Sequence, residues 1–191
     1  MTVGRPERDT RETADTLIYT SYMHIQVTDG LPRRNRMEQL EGLQEVMGCP
    51  CLRIRRATRH VTQLYDRILA DAGLTANQFG LLAYLMRSEL AGEGGISIGG
   101  LAERVGVDPT TLNRNLKPLE GKGLVRDARG GVDARMRKVT ITPKGKLALQ
   151  RALPLWRQAR THVEKAVGSR ELDSLNGLLD LAATGVARLM S

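Results

Sequence analysis

The chain has 191 residues, 41% of them hydrophobic, and a formal net charge of +8 at pH 7. This length fits one domain of ordinary size with an appendage, and the basic balance favours a polyanionic partner such as nucleic acid. No apolar run approaches the roughly 20 residues of a membrane-spanning helix. No secretory signal is recognisable, and two closely spaced cysteines are too few for a disulfide framework. We therefore expect a cytoplasmic protein that does not interact with membranes.

Aromatic residues make up only 3% of the chain. Proteins that bind single-stranded nucleic acid usually stack the bases on aromatic side chains. The scarcity of aromatic residues in this chain therefore favours duplex DNA over RNA as the nucleic-acid partner.

Residues 1–36 mix arginines with acidic residues and show no periodicity. Such a composition predicts a disordered N-terminal extension. A helical pattern starts at Met37, which could itself be the true first residue, and it ends at Gly48. Residues 37–191 are therefore interpreted as the folded part.

A second helix is predicted from Pro50, since proline is favoured at the first helical position. Apolar residues recur along it at the spacing of one helix face. This stripe consists of Ile54, Ala57, Val61, Leu64, Tyr65 and Ile68. Gly73 ends the helix, and Thr75 and Gln78 then form a capping box that opens the next helix.

A helix-turn-helix is predicted next. Its first helix covers Ser97–Val105 and ends at Gly106. Asp108 and Pro109 supply an N-cap and a first-position proline for the second helix, which Gly121 closes.

Two short strands follow, Leu124–Asp127 and Arg137–Thr142, joined by a glycine-bearing hairpin tip over residues 128–134. Helices resume at Pro143. The last of them carries an apolar stripe of Leu172, Leu175, Leu179, Ala182 and Val186. The order of elements predicts a mainly α, α+β fold: a winged helix-turn-helix with a two-stranded β wing, framed by extra helices at both ends.

The second helix of the motif has one apolar and one polar side. Counted at 100° per residue, Leu112 and the two leucines after it lie within about 40° of one another, and Arg114 and Lys117 lie opposite. An ordinary solvated face is one explanation. The other is a face that reads bases in the major groove, which accepts one α-helix. Pro118 predicts a bend after Arg114.

Basic residues are concentrated around this helix. Residues 104–138 contain nine basic and four acidic residues, which is more than half of the net charge of the chain. Contact with DNA phosphates would need such a concentration. Arginine suits guanine, asparagine suits adenine and the threonine methyl group suits thymine. The predicted DNA-binding residues are Ser97, Thr110, Thr111, Asn113, Arg114, Lys117, Arg129, Arg135 and Arg137.

At these residues the chain resembles the MarR family of bacterial transcription regulators. The first matching stretch is SIGGLAERVGVDPTTLNRNLKPLEGKGLV. The second, DARMRKVTITPKG, is similar to the wing signature of the family, with Ile141 in place of its leucine. The resemblance extends from Cys49 to Val167 and leaves the first 36 residues outside.

The resemblance implies a homodimer joined through dimerisation helices in residues 37–72 and 143–191, with a DNA-binding lobe in residues 74–142. It implies a palindromic operator, with Arg135 in a flanking minor groove and Asp133 orienting the wing. Such dimers usually repress transcription until a small ligand or an oxidant releases them. The long apolar last helix agrees with a dimer, since it would not be stable alone.

Cys51 is a candidate redox switch, because it lies at a helix N-terminus close to three arginines, which favours the thiolate. The organic-peroxide-sensing branch of the family has its reactive cysteine on this helix and a tyrosine fourteen residues later, here Tyr65. Arg55 stands where that branch has another tyrosine. The alternative is a cysteine that only packs as a small apolar residue.

A small aromatic or acidic ligand is the other candidate trigger, and Arg59, His60 and Tyr65 are the predicted pocket residues. No metal site is expected, since Cys49-Pro50-Cys51 has no nearby histidine partners in sequence. No catalytic motif or cofactor loop is found, so we expect neither an enzyme nor a cofactor. A helical protein-interaction module that does not bind DNA is the alternative to a regulator.

Overall fold

The structure is a computed structural model that describes residues 42–128 and 137–190. The predicted N-terminal extension and the tip of the wing lie outside these ranges. Residues 42–48 are helical and belong to a first unit that reaches Pro50, and a second unit begins at Cys51. The elements are α1 (Pro50–Leu69), a 3₁₀ turn (Ala70–Ala72), α2 (Ala76–Leu90), β1 (Ile96–Ser97), α3 (Ile98–Val105), α4 (Pro109–Gly121), β2 (Val125–Ala128), β3 (Lys138–Ile141), α5 (Pro143–Val167) and α6 (Ser169–Met190).

The helix ends follow the local sequence signals. Gly73 has a φ of 68° and closes the 3₁₀ turn after α1, a backbone conformation that glycine adopts readily. The capping box before α2 is present, with the Thr75 side chain accepting from the Gln78 backbone and the Gln78 side chain accepting from Thr75. Thr142 caps α5 by accepting from the Gly145 backbone at 3.0 Å.

Helices α3 and α4 form the predicted helix-turn-helix. The side chain of Ser97 caps α3, and Gly106, with a φ of 74°, makes the turn that follows. Asp108 caps α4, and Pro109 occupies its first position. Helix α4 stays helical past Pro118 to Gly121, so the proline does not end the helix.

The sheet has three strands where the sequence predicted two, in the antiparallel order β1-β3-β2. Strands β2 and β3 are the hairpin of the wing, with Val125 opposite Ile141 and Ala128 opposite Lys138. The additional strand β1 pairs Ile96 with Val139. A two-residue strand is too short to show alternation, and it lies between a glycine-rich loop and a helix, so periodicity could not reveal it.

One hydrophobic core holds the winged helix together. Its largest fully buried side chains come from α1 to α4 and from β3, and include Leu69, Leu82, Leu101, Leu112, Leu116, Leu119 and Val139. The start of α5 packs tightly against this core. A Cβ added to Gly145 would collide with the carbonyl oxygen of Leu124, so only glycine allows this approach.

The helices outside the winged helix leave apolar side chains exposed in the single chain. Among the α6 side chains whose burial the structure describes, only Leu172 is buried, at 9% exposure. Exposed leucines and valines of α1 and α6 are Leu52, Val61, Leu175, Leu178, Leu179, Leu181, Val186 and Leu189. Within the described ranges, every helix is too short or too polar to cross a membrane.

Candidate nucleic-acid interface

Helix α4 is divided between a buried and an exposed side as its sequence pattern predicted. Leu112, Leu116 and Leu119 are fully buried. Thr110, Arg114 and Lys117 are exposed. Arg114 and Lys117 make no hydrogen bond or ion pair with any residue that the structure describes. Both cationic groups are therefore available to an external anion.

Thr111 acts within the N-terminal cap of this helix. Its backbone donates to Oδ1 of Asp108 at 2.9 Å, and its hydroxyl donates to Oδ2 at 2.5 Å. These hydrogen bonds, the side-chain one foremost, hold the pKa of Asp108 below its usual value. The ionised cap favours the first turn of α4, where backbone N–H groups have no helical partner.

Arg137 joins the wing to α4 through all three of its guanidinium nitrogens. Nε donates to Oδ1 of Asp127 at 2.8 Å, Nη2 to Oε1 of Glu120 at 2.5 Å, and Nη1 to Oδ1 of Asn113 at 2.8 Å. The hydrogen bond that Arg137 donates to Asp127, together with the negative charges of Asp127 and Glu120, raises the pKa of Arg137. Its backbone carbonyl also accepts from the Ile98 backbone at 3.2 Å. Arg137 thus contacts α3, α4 and β2 together.

Asn113 is held from both sides. Its Nδ2 donates to the carbonyl oxygen of Pro109 at 2.9 Å, and its Oδ1 accepts from Arg137. The sequence predicted Asn113 and Arg137 as separate DNA contacts. It did not indicate that Arg137 binds Glu120 and Asp127. The available signal was that these two acids interrupt a basic stretch beside a predicted wing.

Of the remaining predicted DNA-binding residues, the structure describes Ser97. The Ser97 side chain is half-buried and accepts from the Gly100 backbone at 3.1 Å as the cap of α3. Arg129, Arg135 and the wing-orienting Asp133 lie outside the described residues.

A cleft of about 370 Å³ opens between the end of α1, α2 and the middle of α5. Its lining includes Tyr65, Phe79, Tyr84, Arg87 and Trp156. The rings of Phe79 and Trp156 stack with centroids 6.0 Å apart. Burial raises the pKa of Tyr65, an effect that the charge of Arg160 partly offsets.

The predicted pocket residues separate in the structure. Tyr65 lines the cleft, whereas Arg59 and His60 are exposed on α1 and do not line it. Cys51 is also exposed. Cys51 and Tyr65 are fourteen residues apart on one continuous helix, which separates them by roughly 21 Å. Within a single chain they cannot touch. Across the described ranges, no group of three or more potential metal ligands comes together.

The sequence model of the MarR family matches residues 72–136. The chain is 39% identical to the transcriptional regulator MosR of M. tuberculosis, solved in complex with DNA; the match covers 71% of this chain and 97% of that one, with a TM-score of 0.60. The repressor CouR, solved bound to a 23-mer DNA duplex, is 25% identical over 73% of this chain and 95% of its own, with a TM-score of 0.64. The HTH-type transcriptional regulator TtmR of Methylorubrum extorquens is 29% identical over 81% of this chain and 75% of its own length.

A winged helix with an exposed basic helix face defines a transcription regulator of the helix-turn-helix class. The chain belongs to the MarR family. The members of this family are transcription regulators and not enzymes.

Proposed function

We propose that this protein is a sequence-specific regulator that binds double-stranded DNA as a homodimer and represses transcription from a palindromic operator. The observation that carries the proposal is the polar, basic face of α4, whose cationic side chains are exposed and unpaired among the described residues. The DNA complexes of MosR and CouR support it, because these proteins share the fold.

We assign a proposed DNA contact to each residue according to the exposure of its side chain. Arg114 and Thr110 contact base edges from the first turns of α4, and Lys117 contacts phosphate. Arg129 and Arg135 contact DNA from the wing, which Asp133 orients. Residues 74–142 form the DNA-binding lobe. Ser97 and Thr111 maintain the helix starts and lie at the edge of this surface.

The proposed dimer forms through residues 37–72 and 143–191, and it buries the apolar side chains that are exposed on the described helices of these segments. An exposed apolar stripe of this length on a soluble chain usually marks an interaction surface. Joining two copies through α6 covers leucines that are 40–85% exposed in the single chain. A two-fold dimer also explains a palindromic operator, since its two recognition helices meet half-sites about one helical turn of DNA apart.

Two triggers for release are proposed. A small aromatic acid would suit the cleft beside Trp156, because aromatic residues and Arg87 line it. Titration of such an acid should quench the fluorescence of Trp156, the sole tryptophan of the chain.

Oxidation of the exposed Cys51 is the second trigger. Because Tyr65 lies far along the same helix, any contact between the two would have to cross between the two chains of the dimer.

The test is fluorescence anisotropy of the purified protein with labelled duplex from upstream of its own gene, at several salt concentrations. We expect saturable binding that exceeds binding to scrambled duplex and weakens steeply with salt. A random-site selection would follow if that fragment shows no preference. If the selection also enriches no sequence, the helical interaction module becomes the better explanation.

Adding an organic hydroperoxide and then a thiol to the same assay tests the redox trigger. Release that the thiol reverses, and that a Cys51→Ser variant does not show, would support the switch. Binding that survives oxidation would exclude it and leave the cleft as the regulatory site.

A further inference from the structure

We propose that Arg137 is a positioning residue for DNA reading, which presents the Asn113 side chain to an adenine and does not itself contact DNA. This inference rests on the proposed function, and it assigns the specificity of one operator position to the pair Asn113–Arg137.

The guanidinium of Arg137 makes a hydrogen bond through every one of its nitrogens. Each of its three guanidinium nitrogens donates to a different side chain, two of which are carboxylates. Two of its five N–H donors remain, but a phosphate contact would compete with Asp127 and Glu120, whose charges already compensate that of the guanidinium. Arg114, on the same helix, is exposed and has no such partners among the residues that the structure describes. The two arginines therefore differ in kind, although both were expected to bind DNA.

The Asn113 side chain is held in place by hydrogen bonds that leave part of its hydrogen-bonding capacity available. An asparagine amide has two N–H donors and an oxygen with two lone pairs. The Pro109 carbonyl takes one donor, and Arg137 takes one lone pair. One donor and one acceptor remain, which is the pair that asparagine presents to N7 and the N6 amino group of adenine. The side chain is thus held in one orientation before DNA arrives, and less rotational freedom is lost on binding.

Arg137 also compensates negative charge near Asn113. Glu120 is on α4, two helical turns after Asn113, and Asp127 is on β2. Both carboxylates belong to a surface that would face DNA phosphates. By pairing with both, Arg137 offsets part of the repulsion that they would exert on phosphates while it holds Asn113. Lysine cannot replace it, because one ammonium lacks the planar fork that reaches three acceptors.

The test is a random-site selection followed by anisotropy with the selected duplex, for the parent and for Arg137→Lys, which keeps the charge. We expect Arg137→Lys and Asn113→Ala to lose the preference for adenine at the same operator position, by about ten-fold, which is the discrimination of one bidentate pair. The salt slope of Arg137→Lys should stay unchanged, because no phosphate contact is removed. Arg114→Lys is the matched control and should alter a different position.

Circular dichroism establishes whether Arg137→Lys is folded. If it is not, the double variant Glu120→Ala, Asp127→Ala replaces it, since this removes the two carboxylate acceptors that anchor Arg137 and leaves Arg137 and Asn113 in place. A weakened adenine preference in that variant supports the proposal. Retention of the preference in either folded variant, or in Asn113→Ala, overturns it. A parent that enriches no sequence overturns the proposed function itself, whereas a parent with a clear operator isolates the failure to Arg137.

Discussion

Arg114 is the residue on α4 that we expect to contribute most to recognition of a base. Its side chain is exposed, unpaired among the described residues and opposite the buried leucines. Arg114→Ala should weaken operator binding by about 1–3 kcal/mol and relax specificity at one position. Lys117→Ala should instead weaken binding to all duplexes alike and lower the salt slope by about one. Anisotropy titrations on operator and scrambled duplex measure both, and equal affinity of Arg114→Ala and the parent would contradict this assignment.

Gly145 is the residue at which a single methyl group should disturb the fold. A Cβ there would collide with the Leu124 carbonyl and lie 2.8 Å from Cγ1 of Ile141. Gly145→Ala should lower the free energy of unfolding by about 1–3 kcal/mol, as overpacking does. Gly99→Ala is the control, because its Cβ would meet nothing within 4 Å. Denaturant titrations at one protomer concentration measure the pair, and equal midpoints would show that the α5 start can move away.

Residue-level prediction from sequence was limited by contacts between distant positions. Angles along one helix were sufficient to predict that Arg114 lies on the exposed side of α4, because helical periodicity is a local property. The Arg137–Asn113 contact joins residues 24 apart in sequence, and it depends on how the wing packs against α4. Periodicity could identify both residues as polar and near DNA, but not that one holds the other.

At the scale of the element, the cap of α4 gives a pH-dependent prediction. The pKa of Asp108 is lower in the folded protein than its ordinary value, so the ionised cap stabilises the folded state. The contribution is complete above about pH 4, the ordinary aspartate pKa, and is lost as the pH falls through the lower folded value. Asp108→Ala should therefore reduce stability at neutral pH and approach the parent in strong acid.

Thermal unfolding of the parent and Asp108→Ala between neutral pH and pH 2 measures this effect. Thr75→Ala is a useful comparison, because that uncharged cap of α2 should cost about 1 kcal/mol with little dependence on pH. A stability difference for Asp108→Ala that persists at the lowest pH would mean that packing, and not the carboxylate, explains the effect.

The starts of helices were predictable from the sequence where a proline marks the first helical position. The starts of α1, α4 and α5 coincide with Pro50, Pro109 and Pro143. Strand β1 was not predictable, because its existence depends on the partner strand β3 and not on its own two residues.

At the scale of the whole molecule, the exposed stripe of α6 should be the dimer contact. Leu179→Asp should raise the dimer dissociation constant on the order of a hundred-fold, because an unpaired carboxylate buried in an interface costs several kcal/mol. Leu90→Asp, at a leucine that is 77% exposed on α2, is the matched control. Sedimentation equilibrium measures both, and a Leu179→Asp protein as dimeric as the parent would place the contact elsewhere.

Helix α5 has a mechanical consequence for regulation. It is continuous over 25 residues, roughly 37 Å, and it leads from the wing, where Gly145 packs on Leu124, past Trp156 to α6. A tilt of about 5° about its far end would move the wing end by about 3 Å, nearly the 3.4 Å rise of one base pair. In the proposed dimer, a ligand that tilts α5 by this amount from the cleft at Trp156 would shift each lobe by about one step along the duplex.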